Sequence, residues 1–203
     1  MKTMLLRELG GVLEFTDIPK PKIKEDEVII KVLTSSLNFA DTLLISGKYQ
    51  EKAKVPFSPG MEICGIIQNM GSKVSNFKIG DRVVSYIGSG GLSEFVSLKS
   101  QQCLTVPKNI SDEKAASLMI AYGSSELALN YKANLKPGEN LLVLGAGGGV
   151  GLSAIEIGKI MGANVIAVAR GDSKCSAART KGADLVIDGG IQDIRKKLGP
   201  SFG

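Results

Sequence analysis

Five glycines fall close together at Gly145, Gly147, Gly148, Gly149 and Gly151, within the stretch LLVLGAGGGVG that begins at Leu141. Glycine permits a tight turn and lets backbone N–H groups approach an anion, and a helix beginning there adds the positive end of its dipole. The chemistry open to such a run is phosphate binding, and a dinucleotide is the natural guest. Gly145, Gly148 and Gly151 read GxxGxxG, and Ala146, Gly148 and Gly151 read AxGxxG, whereas the commoner GxGxxG fails at Val150. Gly149 and Val150 complete the set of candidate backbone donors. A glycine pattern is weak by itself, so the flanks decide.

Those flanks supply a strand and a helix. Residues 139–144 read as a strand after the Pro137-Gly138 turn, and residues 150–161 have helical apolar spacing through Leu152, Ile155, Ile157 and Ile160, with Gly162 as the stop. The competing reading is a glycine turn in an ordinary strand–helix unit. A second strand over 164–169 tests the coenzyme type, since an acid about 20 positions beyond the glycines would hold a ribose 2′-hydroxyl. Ala169 stands at that strand end instead, Arg170 follows, and Lys174 opens the next helix. Positive charge there suits a 2′-phosphate and favours NADPH over NADH. The alternative is that both are solvated surface charges. Asp172 reads as the N-cap of the helix through Lys181 rather than as a ribose ligand.

Up to about Ile110 the chain is mostly short β-like segments, at 4–8, 13–18, 27–37, 65–70, 82–87, 93–98 and 103–106, punctuated by glycine and proline. These suggest an all-β, barrel-like domain with one short helix over 39–46. Ser111 reads as an N-cap with Asp112 and Glu113 in the first turn, opening a helical region that breaks near Gly123 and runs to about Lys132. From Glu139 the pattern alternates strand and helix, with a third strand over 184–187 and an amphipathic segment over 191–198. That alternation signals a parallel α/β sheet.

At 43% hydrophobic and 22% charged the composition is that of a globular protein able to bury a core. The net charge of +5 comes without a long basic run or interleaved aromatic residues, so nucleic-acid binding is not indicated. Cys64, Cys103 and Cys175 are odd in number and far apart, which fits reduced packing thiols. With no histidine and no close cysteine cluster, neither a catalytic nor a structural zinc site has plausible ligands, and the common Ser-His and Cys-His pairs are absent. No apolar run approaches membrane-spanning length, and the start, MKTMLLRELGG, lacks a signal-peptide core, so a cytoplasmic location is the expectation.

Several stretches, in this order, resemble the zinc-free quinone oxidoreductase branch of the medium-chain dehydrogenase/reductase superfamily: SSLNFADTLLISGKYQ, VPFSPGMEICGIIQNMG, FKIGDRVVSY, GGLSEFVSL, AYGSSELAL and LKPGENLLVLGAGGGVG. The piece from Asn38 to Gly65 looks particularly like the quinone oxidoreductase-like protein 2 group. The resemblance covers essentially the whole chain. It implies an α/β plus β architecture, with a GroES-like catalytic domain over 1–121 and the N-terminal half of a Rossmann domain over 122–203. It also implies that Asn38, which begins the NF-x-D motif, meets the nicotinamide and takes part in catalysis. Tyr49 of the SGxY motif lies near the substrate, and Ser124 falls where many relatives carry a threonine that contacts the nicotinamide side. Zinc-dependent relatives have a cysteine at the position of Asn38 and a histidine at that of Met61, so no metal is implied, and Glu62 is a hydrogen-bonding or structural group. The residues allow plainer readings too: Asn38 as a cap of the short helix, Tyr49 as a loop aromatic, Ser124 as the start of the second helical piece.

The activity implied is NADPH-dependent reduction of a quinone or similar conjugated carbonyl by hydride transfer, with an oxyanion met by solvent, Asn38 or Tyr49. Alternatives are reduction of an alkenal or enoyl C=C bond, and an NADPH-binding structural or regulatory protein without turnover. A doubly wound sheet has six strands and only three candidates are present, so the chain is expected to be a shortened form that binds NADPH weakly and turns over little alone. A homodimer is expected only of the full-length protein.

Overall fold

A computed structural model describes residues 1–199. The chain divides into two compact units, Met1–Met119 and Ile120–Gly203.

In the first unit, β1 (Lys2–Leu6) and β2 (Leu13–Asp17) form an antiparallel pair. A five-stranded antiparallel sheet follows, built from β3 (Glu27–Ser36), β4 (Glu62–Met70), β5 (Arg82–Tyr86), β6 (Phe95–Lys99) and β7 (Cys103–Thr105) in the order β6-β3-β4-β5-β7. Strand β3 shows why: Val28 and Ile30 are fully buried while Lys31 is exposed, the period-two pattern of a sheet with one dry face. Val28, Ile30, Ile63, Ile67, Val83, Val96, Leu98 and Cys103 make the core of this unit. Helix α1 (Phe39–Ile45) connects β3 to the loop before β4. Helix α2 (Asp112–Ala116) is capped by Ser111, whose hydroxyl accepts from the Lys114 N–H, and packs Ala115 and Ala116 against Cys64, Val84 and Val106.

Helix α3 (Leu118–Glu126) carries straight through Gly123 and passes into a π-helical segment at Leu127–Lys132. The break expected near Gly123 therefore falls at Ser117, whose hydroxyl and backbone N–H both turn back to the Lys114 carbonyl. The second unit continues as β8 (Asn140–Leu144), α4 (Gly149–Ile160), β9 (Asn164–Ala169), α5 (Asp172–Thr180), β10 (Leu185–Asp188) and α6 (Ile194–Leu198). Its strands are parallel in the order β10-β9-β8. Val143, Val165, Ala167 and Ala169 form one buried face with Ile155, Cys175 and Ala178. Ile166, Val168 and Ile187 form the other, under Ile194 and Leu198. Sequence and structure differ at two helix starts. Gly171 at φ +82°, not Asp172, occupies the cap position of α5, and the segment expected from Ile191 becomes helical only at Ile194, where Asp193 accepts from the Arg195 and Lys196 N–H groups.

Candidate functional site

The glycine run of the second unit is a turn with a defined job at each position. Gly145 leaves β8 at φ +70°, the Ala146 N–H donates to the Val168 carbonyl at 2.9 Å, and Gly148 is the N-cap of α4. A Cβ on Gly151 would lie 2.6 Å from the Gly145 carbonyl oxygen and 2.7 Å from the Ala146 Cα, so the helix can start this close to the turn only without a side chain there. The first-turn N–H groups of α4, including those of Gly149 and Val150, have no partner within the helix. They are suited to an anion.

Beside this turn lies a cavity of about 370 Å³ lined by Gly145, Gly147, Gly148, Arg170, Lys174 and Gly189, with Val168 and Ile194 on its apolar side. The stem of Lys174 lies across Gly147, where a Cβ would come within 2.5 Å of the Lys174 Cβ. Among the described residues neither Arg170 nor Lys174 enters an ion pair, although lysines elsewhere in this unit pair with Asp184 and Glu156. The cavity therefore offers two uncommitted cations, a glycine turn and an apolar wall. Those residues suit a ligand with phosphate groups and an apolar portion.

Ser124 is exposed on α3, whereas its neighbour Ser125 is buried. The Ser125 hydroxyl bonds the Val150 carbonyl and the Ser153 hydroxyl, each at 2.9 Å, and Ser153 bonds the Ala121 carbonyl. This clasp fixes α3 to the first turn of α4. Farther along, Tyr122 donates to Glu156, which also accepts from Lys181 at 2.7 Å, so α3, α4 and the end of α5 are joined by one side-chain chain.

In the first unit Asn38 sits at the N-cap position of α1 with extended backbone, and its backbone N–H donates to Asp41 Oδ2 at 2.8 Å. Its side-chain amide is turned to β3 and β4: Nδ2 lies 2.9 Å from Glu62 Oε1 and 3.3 Å from Ser36 Oγ. Ser36 donates to the same Glu62 oxygen at 2.5 Å. Glu62 is only 1% exposed, and a flipped amide would set oxygen against a carboxylate oxygen, so the network fixes the orientation. Asp41 also accepts from the Gly60 N–H at 2.9 Å, tying α1 to the loop that carries Met61.

Tyr49 follows α1 and lines a second cavity, of about 230 Å³, with Leu44, Glu51, Met61, Tyr86 and Ile87. Met61, 1% exposed, presents a thioether there. Burial pushes the Tyr86 phenol up, and the neighbouring Tyr49 phenol and Glu51 carboxylate add to the shift. Two of the buried cysteines, Cys64 and Cys103, are poor nucleophiles. Burial first, and Asp112 second, push Cys64 up to about 11, and burial pushes Cys103 up to about 11. Among the described residues no group of three or more cysteine, aspartate or glutamate side chains is placed to hold a metal ion.

The structure thus brings Gly145, Gly148, Arg170 and Lys174 into one cavity, while Gly149 and Val150 open α4 and do not line it. Gly151 is buried beneath that turn. Tyr49 belongs to the cavity of the first unit, and Asn38 to the Glu62 network. Sequence reasoning missed Gly147 because both glycine frames step over it, and missed Ser125 and Ser153 because single serines carry no signal. It also missed Gly189 and Ile194, which reach the cavity only through strand order.

The model of the alcohol dehydrogenase GroES-like domain family matches residues 24–108. Quinone oxidoreductase-like protein 2 of Rattus norvegicus is 38% identical over 207 residues, covering 97% of this chain and 57% of its own length. The quinone oxidoreductase of Escherichia coli complexed with NADPH superposes with a TM-score of 0.91 at 29% identity, over 98% of this chain and 61% of that one. The quinone oxidoreductase of Thermus thermophilus, whose structure was also solved in complex with NADPH, gives 0.82 at 34%, over 92% and 59%. The chain therefore spans about three fifths of the proteins it matches.

Proposed function

The chain belongs to the quinone oxidoreductase family of the medium-chain dehydrogenases/reductases, and on that premise we propose that it serves NADPH-dependent reduction of a quinone or similar conjugated carbonyl. One observation carries the coenzyme choice: Arg170 and Lys174, free of ion pairs among the described residues, share a cavity with the glycine turn. In this reading Gly145, Gly148, Gly149 and Val150 receive the pyrophosphate on backbone groups, and Gly151 allows the helix its close approach. Arg170 and Lys174 take the 2′-phosphate. When bound, the coenzyme supplies the hydride. Ser124, exposed on α3, is assigned to the nicotinamide side.

The polar groups of the first unit divide the remaining work. Both hydrogens of the Asn38 amide are committed to Glu62 and Ser36, so Asn38 is a poor donor to a developing oxyanion. That donor role goes to Tyr49, whose phenol lines the cavity with Met61 and Tyr86.

The test follows reduced-coenzyme absorbance with small ortho-quinones, alkenals and enoyl thioesters in parallel. Quinone-dependent loss supports the reading, and loss confined to alkenals or enoyl thioesters assigns C=C reduction instead. Arg170→Ala is expected to weaken NADPH binding more than about tenfold while leaving NADH nearly unchanged, a charge-assisted contact being worth roughly 1.5–3 kcal/mol. Equal effects on the two coenzymes remove the role of Arg170.

A further inference from the structure

Two short loops frame the cavity beside the glycine turn: residues 170–171, between β9 and α5, and residues 189–190, after β10. A single carboxylate straps them together. Asp188, the last residue of β10, accepts from the Gly171 N–H at 3.3 Å and 3.2 Å through its two oxygens, and from the Gly190 N–H at 2.9 Å. The neighbouring Gly189 N–H donates to the Ala169 carbonyl at 2.9 Å, and the Asp188 N–H donates to Gln192 Oε1 at 3.2 Å. Gly171 stands at φ +82°, a conformation that turns the chain sharply into α5 directly after Arg170.

An unscreened carboxylate next to an anion site repels the anion, and one next to an arginine tends to pair with it. Asp188 forms no ion pair among the described residues and is tied to the backbone instead. Its two oxygens accept charge-assisted hydrogen bonds from the Gly171 and Gly190 N–H groups, and among the described residues no ion pair joins it to Arg170. Arg170, exposed, lines the cavity directly before this turn.

We propose that Asp188 is a positioning residue for coenzyme discrimination: by tying the Gly171 and Gly190 amides together it sets Arg170 against a 2′-phosphorylated adenosine. This deepens, and rests on, the reading of the cavity as an NADPH site. Removing the carboxylate releases the turn, lets Arg170 wander, and costs the ligand its 2′-phosphate contact while leaving the 5′-diphosphate on the glycine turn.

The probes are adenosine 2′,5′-diphosphate and adenosine 5′-diphosphate, titrated calorimetrically into the 203-residue chain at fixed ionic strength, with thermal unfolding recorded alongside. Asp188→Ala is expected to weaken the 2′,5′-diphosphate about tenfold and the 5′-diphosphate less than about twofold, the scale of one charge-assisted hydrogen bond. Asp188→Asn, which keeps the shape and one accepting oxygen, is expected to fall between, and it serves if the alanine variant unfolds. Adding Arg170→Ala to Asp188→Ala is expected to change little further, because the two act through one contact. Equal losses for both nucleotides, additive losses in the double variant, or a gain for the 2′,5′-diphosphate overturn the inference. If the wild-type chain binds the 2′,5′-diphosphate through Arg170 but Asp188→Ala treats the two nucleotides alike, the inference alone fails. If it binds neither, the NADPH reading fails and takes the inference with it.

Discussion

Gly151→Ala is expected to lower the melting temperature of the second unit, although alanine is the better helix former. The gain from replacing an interior helical glycine is about 1 kcal/mol. Against it stands a methyl group 2.6 Å from the Gly145 carbonyl oxygen and 2.7 Å from the Ala146 Cα, both backbone atoms that cannot rotate away. Overpacking of this kind costs about 3 kcal/mol at the upper end of its usual range, which leaves a net loss of about 2 kcal/mol. For a unit of this size the melting temperature should fall by roughly 8–16 °C. The matched control is Gly149→Ala, in the same helix turn, where the nearest atom to a new Cβ is the Ala121 Cβ at 3.9 Å. That variant should melt at or slightly above wild type. Differential scanning calorimetry on the three proteins decides the matter, and a Gly151→Ala transition within about 2 °C of wild type would refute the packing argument.

The chain Tyr122–Glu156–Lys181 sets a stability window in pH. Burial pushes the Glu156 carboxyl up, but the hydrogen bonds from Lys181 and Tyr122 outweigh it and hold it below its ordinary value. Its contribution is therefore complete above about pH 4.3 and is lost as pH falls through the lowered folded value. Lys181 and Tyr122 are both raised, chiefly by their hydrogen bonds to Glu156, so their share is complete below about pH 10 and is lost as pH rises through the raised values. Urea midpoints measured across pH should fall on both sides, and Glu156→Gln should flatten the acid limb; an unchanged acid limb would count against the network. Asn38→Asp would set a second carboxylate where the amide nitrogen now lies 2.9 Å from Glu62 Oε1, at a cost on the order of 3 kcal/mol at neutral pH. That loss should shrink on acidification, because two carboxylates in contact come to share a proton, and urea titration at neutral and at acidic pH reads it directly.

Much of this was legible along the chain because it depends on local spacing. The change from short punctuated strands to alternating strand and helix follows from apolar period, and the turn into α4 follows from glycines that adjoin in sequence. Arg170 and Lys174 could be singled out because they follow the second strand directly. Helix starts were less legible, since Asp172 and Gly171 compete for one cap and only the backbone conformation chooses.

What the sequence by itself determined is the order of the elements and the kind of chemistry its glycine run can do, because both rest on neighbours within a turn or a strand. Only the tertiary structure decided which groups remain free to act. Asn38 spends its amide on Glu62, 24 positions away, and Ser125 spends its hydroxyl on Val150. Asp188 reaches back 17 positions to Gly171, while Arg170 is left without an ion pair among the described residues. Hydrogen bonds and charges are satisfied in space, and strand pairing brings distant donors and acceptors together that no spacing along the chain reveals.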